Sequence, residues 1–416
     1  MAGLPLPRRN RYAPSAPPFP KFPLAGPRNI VLCFDGTWNS DDRASPTNVV
    51  KTHQALPAST AAGTRQIRYY DRGVGTGRFD RVRGGVVGLG LARNVELAYV
   101  WLSSNYRPGD RLFLFGYSRG AYTARSLAGL IGLCGVPDPE RCASAGRPVA
   151  VVAHQGMAIY RQRPGAGRTD RAGRHVEEFA LSAAAAARPS AYADADALSA
   201  VHFIGVWDTV GALGVPVTWL NWIGARRHRF HDVRLDRHIR HACHAIAIDE
   251  ERRPFAPTLW TNRPAPGQNV SQLWFPGVHS DVGGGRPATA LSDRALLWMW
   301  ARAHAAGLAL RPEAAWGLAP DELGRRGNSM SLVYRLLGRY DRPIGERNED
   351  GRPLVTGEGV HFSAVRRLED AATSRRYGLG VAGRTLVPAL EAERVPAVSP
   401  APGEEEPRTF PWDAPP

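Results

Sequence analysis

The sequence predicts an α/β protein with a mostly parallel, doubly wound sheet, and two observations support that prediction. First, short apolar segments alternate with segments of helical periodicity along most of the 416 residues. Second, these short segments are apolar throughout, which is typical of parallel strands buried on both faces. The predicted strands are residues 30–34, 66–70, 111–115, 201–207 and 272–276.

Helices are predicted between the strands, where apolar residues recur three or four positions apart. One set lies between the second and third strands, and another follows the fifth strand. The two sets are Leu91, Val95, Tyr99 and Leu102, and Leu291, Ala295, Leu296 and Met299. This alternation favours one sheet with helices on both faces.

The same alternation divides the chain into regions. Residues 29–310 form the predicted core domain. It is interrupted at 137–200 by a segment rich in Pro, Gly and Arg, which we expect to be an inserted cap. Residues 311–394 have a mixed pattern and are expected to form a C-terminal extension packed on the core. The Pro-rich segments 1–28 and 395–416 are expected to be disordered.

One motif on the third strand indicates catalysis. Gly116-Tyr117-Ser118-Arg119-Gly120 directly follows an apolar run and leads into a helical segment. A strand that ends in Gly-x-Ser-x-Gly and continues at once into a helix is the nucleophile elbow of a serine hydrolase. The sequence therefore predicts Ser118 as a nucleophile and the core as an α/β-hydrolase-like catalytic domain.

A serine nucleophile needs a histidine base and an acid that orients it, in the chain order serine, acid, histidine. Asp208 follows the fourth predicted strand, and His279 follows the fifth and precedes a glycine-rich loop. His361 is the rival base, and Asp281 is the second-choice acid, placed to order the loop around His279. Six other histidines fall in polar or helical surroundings and are expected at the surface: His53, His228, His231, His238, His241 and His244.

The oxyanion of the reaction needs backbone donors. The N–H of Arg119, directly after the nucleophile, is one candidate. The loop after the first strand supplies the other, from Gly36 or Thr37, because Gly36 permits a close backbone approach. We expect Asp35 to orient this loop by accepting its N–H groups.

The net charge of +15 does not indicate a nucleic-acid-binding protein. Apart from Lys21 and Lys51 the positive residues are arginines, and they are scattered instead of forming a basic stripe with interleaved aromatic residues. The charge does allow peripheral contact with an anionic membrane surface. We therefore expect no nucleic-acid partner, and the oligomeric state is left open.

Neither a cleavable signal peptide nor a membrane-spanning segment is evident in the sequence. We expect a soluble protein that is cytoplasmic at synthesis, with export open only to a route that needs no cleavable signal. The four cysteines have no metal-ligand spacing. We expect no cofactor and no metal.

Five motifs in order resemble one known family. They are FDGTWN at 34–39, GVGT at 73–76, GYSRGAYTAR at 116–125, VWDTV at 206–210 and WFPGVHSDVGGG at 274–285. They resemble the α/β-hydrolase family called domain of unknown function 2235, which includes the catalytic domains of type VI secretion phospholipase effectors. The resemblance runs from about residue 28 to about residue 310. It implies an α/β-hydrolase core, a triad of Ser118, Asp208 and His279, and an ester substrate, with phospholipid as the favoured class.

The leading hypothesis is a serine hydrolase that cleaves carboxylic esters, favouring lipid esters, through an acyl-enzyme. A peptidase could use the same three residues, but no feature of the sequence selects for it. The alternative from a different class is a non-catalytic binding module on a hydrolase scaffold that docks anionic surfaces.

Overall fold

The computed structural model describes most of the predicted core. The described residues are 26–36, 45–73, 86–107, 109–137, 139–144, 146–160, 201–210, 235–331, 334–335, 338–346, 353–370 and 372. The disordered segments predicted at 1–28 and 395–416 lie almost entirely outside these residues, as do most of the predicted cap and Thr37. The predictions for those parts stay predictions.

Seven parallel strands form one sheet in the order β2-β1-β3-β4-β5-β6-β7. The strands are β1 (Asn29–Phe34), β2 (Gln66–Asp71), β3 (Arg111–Tyr117), β4 (Val201–Trp207), β5 (Ile239–Ala247), β6 (Asn269–Phe275) and β7 (Glu358–Val360). The predicted fold class, an α/β protein with a parallel sheet, is confirmed.

Eight α-helices are present in the described part of the chain. They are α1 (Asn48–Ala55), α2 (Val86–Asn105), α3 (Arg119–Cys134), α4 (Pro139–Ser144), α5 (Val149–Tyr160), α6 (His279–Gly283), α7 (Ala290–Ala305) and α8 (Phe362–Glu369). Short 3-10 helices cover Arg253–Phe255 and Pro312–Ala315. None of these described helices is long and apolar enough to cross a membrane.

Strand β1, which lies inside the sheet between β2 and β3, shows why the predicted strands are apolar throughout. Ile30, Leu32 and Phe34 face one hydrophobic cluster, together with residues of α2, α3 and α5. Val31 and Cys33 face a second cluster on the opposite side of the sheet, together with residues of α1 and α7. Successive residues of a strand point to opposite faces, so a strand covered on both faces needs apolar residues at every position.

Two strands were not predicted. Near the start of β5 the polar residues Arg240 and His241 hide the strand pattern. β7 has only three residues. The expectation that His244 lies at the surface is wrong, because this residue of β5 is fully buried. Its polar atoms are satisfied inside the protein: Nε2 accepts the Thr209 N–H at 3.0 Å, and Nδ1 lies 3.3 Å from Gln272 Oε1.

Residues after 310 contribute to the sheet as well as packing on it. β7 pairs with β6 from Gln272 to Trp274. Ile344, Val360 and Ala364 form a third hydrophobic cluster with residues of β5 and β6. The C-terminal residues therefore lie against the half of the sheet that carries Asp208 and His279.

Candidate active site

Ser118 lies at the turn between β3 and α3 with φ 57° and ψ −118°. A non-glycine residue with positive φ carries backbone strain, and such strain concentrates at functional sites. Its N–H donates to the Trp207 carbonyl at 3.0 Å, which ties the turn to the end of β4. The turn therefore has the strand–serine–helix geometry of a nucleophile elbow.

Both glycines of the motif are required by close backbone approaches. A Cβ at Gly116 would lie 2.5 Å from the Gly120 carbonyl oxygen. A Cβ at Gly120 would collide with the Phe34 carbonyl oxygen and lie 2.5 Å from that of Asp35. Helix α3 therefore starts directly against the end of β1, and only glycine allows this contact.

Asp208 and His279, predicted as acid and base, lie in contact. Asp208 directly follows β4 with φ 40°, and His279 is the first residue of α6. The Nδ1 atom of His279 is 2.6 Å from Asp208 Oδ2. The other carboxylate oxygen, Oδ1, accepts the Ala247 N–H at 3.0 Å. Because Nδ1 is engaged with the carboxylate, Nε2 is the ring nitrogen left to exchange a proton with a nucleophile.

The imidazole of His279 is held between two aromatic rings. The centroid of the Tyr117 ring is 4.8 Å away, and the Phe255 ring approaches edge-on at 5.1 Å. The backbone N–H of His279 donates a hydrogen bond to Glu250 Oε2 at 3.2 Å. Since Tyr117 directly precedes Ser118, this ring contact brings His279 next to the elbow.

Asp35 organises the loop after β1. Its Oδ2 accepts hydrogen bonds from the Thr47 hydroxyl at 2.8 Å and the Tyr70 hydroxyl at 2.9 Å. Its Oδ1 accepts the Gly36 N–H at 2.6 Å. The Gly36 N–H, predicted as an oxyanion donor, is therefore already engaged by the carboxylate of Asp35.

The second-choice acid and the rival base have other environments. Asp281 Oδ2 accepts the N–H groups of Val278 at 3.0 Å and Gly327 at 2.8 Å, so this carboxylate orders the loop that carries His279. The ring of His361 stacks on Phe275 with centroids 4.3 Å apart. His361 Nδ1 lies 2.8 Å from the Ser363 hydroxyl at the start of α8.

A residue that the sequence did not reveal also contacts Asp208. Arg342 donates from Nη1 to Asp208 Oδ1 at 2.5 Å and from Nη2 to Oδ2 at 3.0 Å. Burial alone would raise the pKa of Asp208, but the charges and hydrogen bonds of Arg342 and His279 hold that pKa well below its usual range. Asp208 is therefore an ionised carboxylate in the protein interior. No motif surrounds Arg342, so local sequence gives no signal for this contact.

A narrow recess lies beside the start of α3. Its lining includes the end of β1, the residues after β2 and the first turn of α3, with Asp35, Asp71, Gly73, Asn94, Arg119 and Thr123 among them. Burial raises the pKa of Asp71 and lowers that of Arg119 to about 10. The described residues contain no group of three or more His, Cys, Asp or Glu side chains arranged to hold a metal ion.

A parallel sheet with a strained serine elbow and an Asp–His pair at the carboxyl ends of its strands defines an α/β-hydrolase-like protein. The comparison with known families agrees with this class. Residues 28–302, more than half of the chain, match the family described as "T6SS, Phospholipase effector Tle1-like, catalytic domain". The chain belongs to this family, and the family predicted from the five motifs is confirmed.

Individual relatives are distant. The uncharacterized protein YEL023C of Saccharomyces cerevisiae is 25% identical over 252 residues, which cover 57% of this chain and 33% of the yeast protein. An uncharacterized protein from Pseudomonas aeruginosa has a solved structure with 19% identity and a TM-score of 0.40, covering 71% of this chain and 49% of that one. The structure of the Tle1 effector bound to the VgrG spike from the type 6 secretion system has 18% identity and a TM-score of 0.36. The match covers 64% of this chain and 52% of that one. The chain thus spans a third of the yeast relative and about half of each of these two structures.

Proposed function

We propose that this protein is a serine hydrolase that cleaves carboxylic esters of lipids through an acyl-enzyme. The contact between His279 and Asp208 carries the proposal: His279 Nδ1 lies 2.6 Å from the Asp208 carboxylate, and the imidazole lies against the ring of Tyr117, the residue before Ser118. A serine hydroxyl is a weak nucleophile until an adjacent base takes its proton. The contact with Asp208 fixes the tautomer that leaves Nε2 of His279 for that task.

In the proposed reaction, Ser118 Oγ attacks the acyl carbonyl while His279 takes the hydroxyl proton. Asp208 stabilises the imidazolium that forms. His279 then gives the proton to the leaving alcohol, and a water molecule activated by the same imidazole releases the acid from Ser118. The chemistry needs no metal or cofactor.

The oxyanion is proposed to be stabilised by the N–H of Arg119 at the start of α3. The second donor is assigned to the loop after β1, at Gly36 or Thr37. A Gly36 donor requires that its N–H be released from Asp35 Oδ1 when substrate binds. Loss of one oxyanion donor typically lowers turnover about 10²- to 10³-fold.

The substrate class rests on family membership. The description of the family names a phospholipase effector, and this supports a lipid ester as the substrate. The acyl position, chain length and head group are left to experiment.

The first test is active-site labelling with a fluorophosphonate probe, which reacts with an activated serine. We compare the wild type with Ser118→Ala and with Ser126→Ala, a matched control because Ser126 is a buried serine of the same helix whose hydroxyl has no partner among the described residues. The wild type and Ser126→Ala should label, and Ser118→Ala should not. Equal labelling of all three proteins would contradict the assignment of Ser118.

A second test defines the substrate. Release of fatty acid is measured from vesicles of phosphatidylcholine, phosphatidylethanolamine or phosphatidylglycerol, and turnover is measured on short soluble esters. Faster acyl release from vesicles than from soluble esters supports a phospholipase. A wild type that neither labels nor hydrolyses any ester would instead favour the binding-module alternative.

A further inference from the structure

Arg342 contacts Asp208 in the candidate active site, although the two residues are 134 positions apart in the sequence. The side chains of both residues are completely buried. The guanidinium group spans two backbone oxygens as well as the carboxylate: Nη1 donates to the Ala247 carbonyl and Nη2 to the Phe255 carbonyl, each at 2.7 Å. The fork is therefore fixed between the end of β5 and the short 3-10 helix whose Phe255 contacts His279.

This arrangement determines how Asp208 faces His279. The carboxylate accepts hydrogen bonds from both ends of the Arg342 fork, from the Ala247 N–H and from His279. With these donors in fixed positions, Oδ2 is held towards the imidazole and the carboxylate cannot rotate freely. A planar bidentate guanidinium gives this constraint, whereas a lysine ammonium supplies only a point charge.

A buried ion pair is weak evidence for a stabilising role. Replacing such a pair with apolar residues is often neutral or stabilising, because removing two charges from water is costly. Here Asp208 also contacts His279, whose orientation the proposed reaction requires. The position of Arg342 behind the triad acid therefore indicates a role in the reaction.

Three described residues beyond 302 contact carboxylates in the loops and helix that follow strands β4, β5 and β6. Arg326 is ion-paired with Asp249 after β5 at 2.8 Å, and the Gly327 N–H donates to Asp281 in α6. Arg342 completes the set at Asp208 after β4. All three contacts come from residues beyond 302, outside the part of the chain that matches the family.

We propose that Arg342 is a positioning residue of the active site, and that Arg342, together with Arg326 and Gly327, completes the surroundings of the Asp208–His279 pair from beyond the matched family domain. This inference rests on the proposed hydrolase function. Arg342 acts through Asp208: it fixes the carboxylate and reduces the negative charge that His279 meets.

The charge effect has a predictable sign. An Asp208 carboxylate without Arg342 attracts a protonated His279 more strongly, so the imidazole keeps its proton to higher pH and is unable to act as a base. Among the described residues, the ionisable groups near the pair include Tyr117, Glu250 with its partner Arg252, and His244, which itself interacts with Arg125. None of these groups is substituted in an Arg342 variant. Arg342 also helps to lower the pKa of His244, so its loss acts on that histidine as well.

The experiment measures kcat and KM on a soluble ester, and the rate of fluorophosphonate labelling, from pH 5 to pH 9. The proteins are the wild type, Arg342→Met, Arg342→Lys and Arg294→Met. Arg294 is the control because it makes an ion pair with Glu322 in the same C-terminal region, at 3.0 Å. Circular dichroism and thermal unfolding establish that each variant is folded.

We expect Arg342→Met to lower kcat about 10- to 100-fold, because a small misplacement of a reacting group can cost about 10²-fold in rate. KM should stay close to that of the wild type. The acidic limb of the kcat/KM profile should move upward by about one pH unit. Arg342→Lys should keep the acidic limb near that of the wild type but lose rate, because the charge remains and the fork is lost. Arg294→Met should match the wild type.

Each result decides the proposal. A folded Arg342→Met protein with wild-type kcat and pH profile would overturn it. If Arg342→Met does not fold, Arg342→Lys decides: a wild-type rate would show that the bidentate fork is not needed. A wild type without labelling or hydrolysis would overturn the proposed function itself, which is a different outcome from failure of the Arg342 variants alone.

Discussion

The ring of Tyr117 packs against the imidazole of His279 in a tilted arrangement, with centroids 4.8 Å apart. Tyr117 is the last residue of β3, and the next residue is Ser118. The Tyr117 hydroxyl also lies 3.3 Å from the His279 carbonyl oxygen. Gly283 of α6 packs so closely on the Tyr117 ring that a Cβ there would collide with it. The position of the proposed base relative to the proposed nucleophile is therefore set by packing between β3 and α6.

This packing predicts different effects for two substitutions at Tyr117. Tyr117→Phe keeps the ring and loses only a long hydrogen bond, so kcat should stay within about threefold of wild type. Tyr117→Ala removes the ring under His279 and leaves a cavity, which should lower unfolding free energy by about 3 kcal/mol or more and kcat about 10-fold or more. Urea unfolding and ester hydrolysis measure the two quantities. If Tyr117→Ala kept wild-type turnover, the ring would not position His279.

The assignment of the base predicts contrasting histidine variants. His279→Ala should lower kcat by about 10⁴-fold or more, the scale expected when one member of a catalytic triad is lost. His361→Asn keeps a side-chain acceptor at the start of α8 but removes the stacking on Phe275. It should lower stability while leaving kcat per folded molecule within about threefold of wild type. A large loss of kcat in folded His361→Asn would instead favour the rival base.

The elbow glycines predict a stability effect that is independent of chemistry. Gly120→Ala places a methyl group on the carbonyl of Phe34, so β1 and α3 must separate. We expect a loss of about 3 kcal/mol in unfolding free energy, at the upper end for overpacking, because the obstacle is rigid backbone. Gly317→Ala is the matched control, since its Cβ would meet nothing within 4 Å. The urea midpoint of Gly317→Ala should equal that of the wild type. If the midpoint of Gly120→Ala were also equal to that of the wild type, the close approach of Gly120 to the Phe34 carbonyl would be contradicted.

Buried His244 predicts a stability loss in mild acid. Burial, with a smaller contribution from Arg125, lowers the pKa of His244 to about 3, against about 6.5 for an unfolded histidine. Below about pH 6.5 the unfolded chain binds a proton that the folded protein does not. The contribution of neutral His244 to the free energy of unfolding is therefore complete above about pH 6.5, and it is lost as the pH falls towards 3.

Unfolding free energy measured by urea from pH 7.5 to pH 4.5 tests this expectation. Wild type should lose stability across this range, and His244→Gln should lose less, because Gln keeps an acceptor for Thr209 and takes up no proton. The unfolding free energy of His244→Gln should still fall with decreasing pH, since burial also lowers the pKa of His202 to about 4. His154→Gln, at an exposed position, should behave as the wild type. Identical slopes in His244→Gln and wild type would contradict the role of His244.

The features that the sequence could predict have local signals. β1, β3 and β4 are apolar at nearly every position because helices cover both faces of the sheet, and this is visible in a few residues of sequence. The elbow was visible for a similar reason, since its two glycines are required by backbone contacts within the strand–turn–helix itself. Asp208 and His279 could be selected because each follows a recognisable strand.

The features that were missed depend on distant parts of the chain. β5 carries polar residues at its start, and β7 is too short to show a pattern. His244 was expected at the surface because β5 was not recognised as a strand, but Thr209 and Gln272 satisfy it in the interior.

By itself, then, the sequence determined the α/β class, the family and the order of the proposed nucleophile, acid and base, because short-range patterns and motifs encode them. Only the tertiary structure decided which side chains surround that acid. Arg342 is one of many scattered arginines, and its meaning comes from a buried contact with Asp208 across 134 residues. Such a contact is stabilised by burial and fixed hydrogen-bond geometry, which exist only once the sheet and the C-terminal residues are packed together.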